Sequence, residues 1–328
     1  MPPGDTAQDK PAETCVLALS GGVGGAKLAL GLDRILPAGA LHVLVNTGDD
    51  FQHLGLHISP DIDTLLYTLS DRANPEQGWG LAGETWQVMA ALEALGGETW
   101  FQLGDSDLAT HLWRSSQLLA GVDLISVTRE LASRMGVHSH VHPMSAQPVR
   151  TTVHCAEGDL PFQHYFVRRR CQPRVHGFSF AGLDQAQANP DVMALLAGKE
   201  LSHIVVCPSN PYVSIDPILK LPGMWQALRD HPAPVILVSP IIQGAAIKGP
   251  AAKMMAELQV PVTAAGVARH YADNYPGLVD YFLLDHADAT LAQEVEAVGL
   301  RPHTARTLMH DIYDKTQLAK TCLALESP

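Results

Sequence analysis

The feature that most narrows the fold is a repeated alternation: apolar runs of strand length, each followed by a segment with helical periodicity. "CVLALS" (15–20) leads into "AKLALGLDRIL", where Leu28, Leu32 and Ile35 fall on one helical face. "LHVLVNT" (41–47) leads into "DIDTLLYTLS", and "HIVVCPS" (203–209), "PVILVSP" (234–240) and "VDYFLLD" (279–285) continue the series. "AAKMMAEL" and "LAQEVEAV" supply helical segments between these later strands. Strands that are continuously Val/Ile/Leu-rich are buried on both faces, which indicates a parallel sheet covered by helices. The expected fold class is therefore α/β, a Rossmann-like parallel core over 15–328.

The middle of the chain has a different rhythm. From 84 to about 136 the pattern is helical, in "ETWQVMAALEAL", "DLATHLWRSSQLLAG" and "LISVTRELASRM". This predicts a mainly helical lobe inserted into the core at about 70–145. Beyond it, "TTVHCAE" and "FQHYFVRRR" alternate like strands. "HSHVH" (138–142) is expected to be an exposed loop, and Arg168 and Arg170 would share a strand face.

Charge and cysteine usage exclude several classes of function. A formal net charge of −12 opposes nonspecific binding to nucleic acid or an anionic membrane. Five scattered cysteines without a C-x-x-C pair fit reduced thiols and a cytoplasmic protein. No apolar run reaches the ~18 residues needed to span a bilayer. The polar, Pro-rich "MPPGDTAQDKPAET" reads as a disordered tail over 1–14, not a signal peptide.

Ligands of parallel sheets bind at the carboxyl ends of the strands, so the loops there carry the chemistry. "SGGVGGAKL" (20–28) opens a helix after the first strand, with Gly21, Gly22, Gly24 and Lys27 placed to meet a phosphate. It matches neither the Walker pattern nor the complete dinucleotide fingerprint, so a tight strand-to-helix turn is the competing reading. "VNTGDDFQHLGLHISPDIDTL" brings Asp49, Asp50, Asp61 and Asp63 close together in sequence. Ser59 or Asp61 could cap the helix that follows. Asp49 and Asp50, at a strand end, fit a hard cation such as Mg²⁺ better. Ser209, Asn210 and Ser214 in "CPSNPYVSIDPIL", and Gly244, Lys248, Gly249 and Lys253 in "SPIIQGAAIKGPAAKMM", could hold a base, ribose or phosphate, or serve only as turn residues.

Together, "SGGVGGAKL", "VNTGDD", "SPDIDTLLYTL", "GWG…ETW", "LGDSDLATH", "PSNPYVSIDPIL" and "SPIIQGAAIKGPAAK" resemble the CofD/FbiA-type transferases of coenzyme F420 biosynthesis. The resemblance implies a CofD-like fold, Mg²⁺ as cofactor and a homodimer. It implies transfer of a phospho-hydroxy acid from a guanosine diphosphate ester to the ribityl hydroxyl of the deazaflavin Fo, with release of GMP. Asp49 and Asp63 then become the expected catalytic pair: metal bound by Asp49 and Asp63 with Asp50 or Asp61 behind them, and Asp63 orienting the hydroxyl. Trp79 and Gln102 become the expected Fo wall. "FQLGDSD" departs from the family pattern at Gln102 and at Ser106, where the pattern has arginine, so the donor acid stays open. A non-catalytic nucleotide-sugar-binding regulator of the YvcK type is the alternative. An NAD-dependent oxidoreductase fits less well, because the fingerprint is incomplete.

Overall fold

A computed structural model describes residues 14–327; the expected tail otherwise lies outside them. Seven strands form the central sheet: β1 (Cys15–Ser20), β2 (Leu41–Val45), β3 (His140–Pro143), β4 (Leu201–Val206), β5 (Val235–Val238), β6 (Tyr281–Asp285) and β7 (Arg301–Ala305). Their spatial order is β7-β6-β5-β4-β1-β2-β3, and every pairing is parallel. Val16–Leu19, Val43–Val45 and Ile204–Val206 are almost wholly buried, as continuous apolar strands between two helical layers must be. The order reverses between β1 and β4, which places a ligand crevice above those two strands.

Helix α1 (Gly22–Ile35) leaves β1 directly, with Leu28 and Leu32 fully buried. Between β2 and β3 lie a hairpin pairing Phe51–His53 with Leu56–Ile58, then α2 (Pro60–Leu69), α3 (Gln87–Ala94), α4 (Asp105–Leu119) and α5 (Leu124–Met135). The helix starts of α3 and α4 cap each other. Asp105 accepts the Gln87 and Val88 N–H groups at 3.0 Å, while Glu84 accepts those of Ser106 and Asp107 at 2.9 and 2.7 Å. Part of "ETW" and "LGDSD" is thus explained by the orphan donors of two helix termini. Helix α5 is capped by Asp123 and stopped by Gly136 at φ 77°; its Val127 and Leu131 pack with Val141 of β3.

Two local expectations are corrected. Of "HSHVH", His138 stays exposed outside the strand, but His140–His142 enter the sheet as part of edge strand β3: His42 Nδ1 and His142 Nε2 are 3.0 Å apart, and His140 stacks on His42 at 4.5 Å. Burial pushes His42 and His142 down to about 4, so they pack as neutral aromatic rings. "FQHYFVRRR" forms a wide helical turn over His164–Arg168, not a strand, around the fully buried Tyr165. Arg170 takes φ 48°, so Arg168 and Arg170 share no strand face. The neighbouring "TTVHCAE" does form the middle strand (Arg150–Cys155) of a small antiparallel sheet with Gly158–Pro161 and Val175–Ala181. No helix among the described residues is long and apolar enough to cross a membrane.

Candidate active site

The glycines after β1 meet protein atoms first. A Cβ on Gly24 would stand 2.5 Å from the Pro208 carbonyl oxygen, and one on Gly21 2.6 Å from Ser214 Cβ. The Gly21 N–H donates to Ser209 Oγ at 3.1 Å, and the Gly22 N–H, from a residue at φ 64°, donates to Asp61 Oδ1 at 2.7 Å. The loop after β1 is thereby seated against the loop after β4 and against α2. Of the N–H groups that a helix start leaves without internal acceptors, those of Val23 and Gly24 have no partner among the described residues. An anion at this end would meet those two, not Gly21 and Gly22.

All of Asp49, Asp50, Asp61 and Asp63 are buried, each with a different set of partners. Asp61 accepts from Gly22 N and, at 2.9 Å, from Asn46 Nδ2. Burial raises its pKa to about 6 even so. Asp50 Oδ2 lies 3.0 Å from His57 Nε2 and accepts the Ser59 hydroxyl at 2.8 Å. Ser59 therefore does not cap α2, and Asp61 faces the glycine loop. Burial, then the negative charge of Asp61, pushes the Asp49 carboxyl well above the ordinary aspartate range.

Oδ1 of Asp49 and Oδ1 of Asp50 are buried and accept no hydrogen bond among the described residues. Orphaned, buried carboxylate oxygens on consecutive residues are costly unless a cation meets them. A Mg²⁺ ion suits them, because it uses one or two carboxylates and completes its shell with water and phosphate oxygens. A cage built from the whole aspartate group is not formed: no cluster of three or more His, Cys, Asp or Glu among the described residues could hold a metal. Asp61 and Asp63 differ from Asp49 and Asp50 in having both oxygens engaged by protein donors.

The partner of Asp63 is Arg114, which sequence reading missed. The guanidinium, 0% exposed, grips both Asp63 oxygens, with Nη1 3.0 Å from Oδ2. Asp63, expected as a catalytic carboxylate and metal ligand, is thus held in a buried ion pair in this structure. Arg114 lies on a polar face of α4 with Asp107, His111 and Ser115. Tyr67 donates to Asp107 at 2.5 Å, His111 Nε2 stands 3.1 Å from Asp107, and Ser115 Oγ accepts the His57 N–H at 2.8 Å. The spacing Asp107, His111, Arg114 was visible as a helical i, i+4, i+7 row in "DLATHLWR".

The remaining expected residues divide. Ser209 and Ser214 lie against Gly21. Asn210 accepts the Tyr212 N–H at 3.0 Å, as a cap. Gly244, at φ 74°, sits with Gln243 in the two-residue turn between Ile241–Ile242 and Ala245–Ala246. Lys27 reaches the Met309 carbonyl at 3.1 Å. Lys253 binds Glu257 at 2.7 Å and the Pro173 carbonyl at 2.9 Å. The exposed Lys248 has its Nζ beside Gly78, close to Val23 at the start of α1. Trp79 is 44% exposed and stands edge-on to Trp86 at 6.4 Å. Gln102 is exposed and donates to the Thr99 carbonyl at 2.7 Å. A second aromatic group, Phe51, His53, Trp100 and Phe101, joins the hairpin to the lobe.

Four similarities bear on this arrangement. Residues 16–324 match the family model described as 2-phospho-L-lactate transferase CofD. A phosphoenolpyruvate transferase of Streptomyces griseus is 40% identical over 316 residues, covering 94% of this chain and 98% of the relative. A 2-phospho-L-lactate transferase of Methanosarcina mazei is 37% identical over 305 residues, covering 93% and 98%. Among solved structures, a UPF0052-family protein of Bacillus halodurans superposes with a TM-score of 0.62 at 15% identity, over 94% of this chain and 99% of that one; it shares the fold. On the extent of the family match and of these relatives, the chain belongs to the CofD family.

Proposed function

We propose that this protein joins a phospho-hydroxy acid to the deazaflavin Fo. In this reading the terminal ribityl hydroxyl of Fo attacks the phosphorus next to the acid in a guanosine diphosphate ester. A bond forms from that hydroxyl oxygen to phosphorus, the bond from phosphorus to the bridging oxygen breaks, GMP leaves with the bridging oxygen, and the hydroxyl proton departs to solvent. The observation that carries the reading is the pair of orphaned, buried carboxylate oxygens on Asp49 and Asp50 beside the glycine loop of a CofD-family fold.

Phosphoryl-type transfer needs little covalent help from the protein; positioning and charge neutralisation dominate. Asp49 and Asp50 would hold Mg²⁺, which when bound supplies positive charge against the phosphate oxygens. Asp61 holds the glycine loop through Gly22, and Asp50 fixes His57 and Ser59. The free N–H groups of Val23 and Gly24, with Lys248 nearby, suit the phosphate chain. Trp79, Gln102 and the Trp100 cluster suit the planar ring of Fo.

The test is to incubate the protein with Fo, Mg²⁺ and guanosine diphosphate esters of lactate, enolpyruvate and glycerate, and to read product mass. A product one phospho-acid heavier than Fo is expected from at least one donor. No product with any donor, together with UDP-N-acetylglucosamine binding more tightly than GDP, would favour the nucleotide-sugar-binding regulator.

A further inference from the structure

We propose that Arg114 is a positioning residue: it clamps Asp63, withholds that carboxylate from the cation, and fixes the lobe to the acidic loop. The inference rests on the cation reading of Asp49 and Asp50 given above. Three observations carry it. Arg114 is the largest fully buried side chain and has both Asp63 oxygens in its fork. A bidentate guanidinium–carboxylate pair fixes direction as well as charge, which lysine cannot reproduce. The same helix face also holds the hairpin that follows Asp50: Ser115 accepts the His57 N–H at 2.8 Å, and Arg114 Nη1 reaches the His57 carbonyl at 3.5 Å. His57 in turn touches Asp50. Helix α4 therefore grips the acidic segment on both sides, at Asp63 in α2 and at His57 in the hairpin.

The electrostatic consequence is specific. Asp49 and Asp61 already crowd each other. A free Asp63 would add a further negative charge and a competing ligand to the same region. With Arg114 in place, Asp49 and Asp50 are the two of the four aspartates with an unpartnered buried oxygen among the described residues.

The test uses the full chain and has two readouts. Binding of Mn²⁺, as a probe for the cation and without Fo or donor, is followed by electron paramagnetic resonance. Asp49→Asn is expected to weaken Mn²⁺ by ~100-fold or more, and Asp63→Asn by less than ~10-fold. Turnover per folded molecule, with folding checked by circular dichroism, is the second readout. Arg114→Met should lower kcat by ~100-fold while donor KM stays within about threefold, and Arg114→Lys should recover about tenfold of that loss. Should Arg114→Met fail to fold, Arg114→Lys and Asp63→Asn carry the test. An equal loss of Mn²⁺ in Asp63→Asn and Asp49→Asn overturns the inference, as does wild-type kcat in the folded Arg114 variants. Wild-type protein that binds no Mn²⁺ would instead remove the cation reading on which the inference stands.

Discussion

Asp49 and Asp50 are neighbours whose charges cannot both be hydrated, since 6% and 2% of each residue is exposed. Replacing one carboxylate by an isosteric amide removes a cation ligand and leaves the packing in place. Asp49→Asn is therefore expected to cut turnover by ~10²–10³ with an unchanged circular dichroism spectrum, the size of effect that lost charge stabilisation at a phosphate produces. Turnover near wild type at saturating Mg²⁺ would rule this role out. Proton linkage gives a second check. Asp61 has its pKa raised from 3.8 to about 6, and Asp49 moves in the same direction. The folded chain holds these protons more tightly than the unfolded chain, so the contribution of Asp61 to stability declines as pH rises from 3.8 through about 6, and that of Asp49 declines in the same direction. A cation compensates only the ionised cluster. The rise in Tm caused by Mg²⁺ should thus be small near about pH 5 and larger near about pH 7.5; a larger rise at the acidic end contradicts this placement of the cation.

The helix starts and loops that surround those carboxylates owe their positions to contact between elements. Gly24 shows it most directly, because a methyl group there would meet a backbone carbonyl that cannot rotate away. Gly24→Ala is expected to destabilise by about 1–3 kcal/mol, the range for overpacking a closed contact, read as a lower midpoint in urea with an unchanged slope. Gly55→Ala is a useful contrast: its Cβ would meet nothing within 4 Å and its φ of 77° alone would resist the change. The strand and helix rhythm was legible in the sequence because burial on both sheet faces leaves runs such as "CVLALS" and "HIVVCPS". Asp49 and Asp50 were legible because a strand end needs no such pair. What sequence periodicity does not carry is the identity of a partner far along the chain. Nothing local to Asp63 reveals that Arg114, on another helix, takes both of its oxygens. Nothing local to Gly21 reveals that its donor meets Ser209, and the histidines of β3 read as loop residues because their stacking against His42 is a property of the assembled sheet.

At the scale of the whole molecule, strand reversal between β1 and β4 sets the crevice, yet the two loops at that point pack directly on each other at its base. In the proposed reading a phosphate chain would lie above them, toward Val23, Gly24 and the lobe. With a net charge of −12, the chain needs a local cation to hold a nucleotide diphosphate. Lys27 donates to the Met309 carbonyl, and its ammonium is disfavoured first by burial and then by Lys248 and Lys315. Lys253 is committed to Glu257. Lys248 is exposed, stands by Gly78 of the lobe, and adds its field to that of the helix start. Lys248→Ala should therefore weaken GDP by ~10-fold, the worth of one charge-assisted hydrogen bond. Lys253→Ala, measured by the same calorimetry without Fo, should stay within about twofold, since its ammonium is already partnered by Glu257 and the Pro173 carbonyl. The reverse ranking would place the phosphate chain at Lys253, beside Glu257 and Tyr165, and would rule out Lys248 and the start of α1 as its seat.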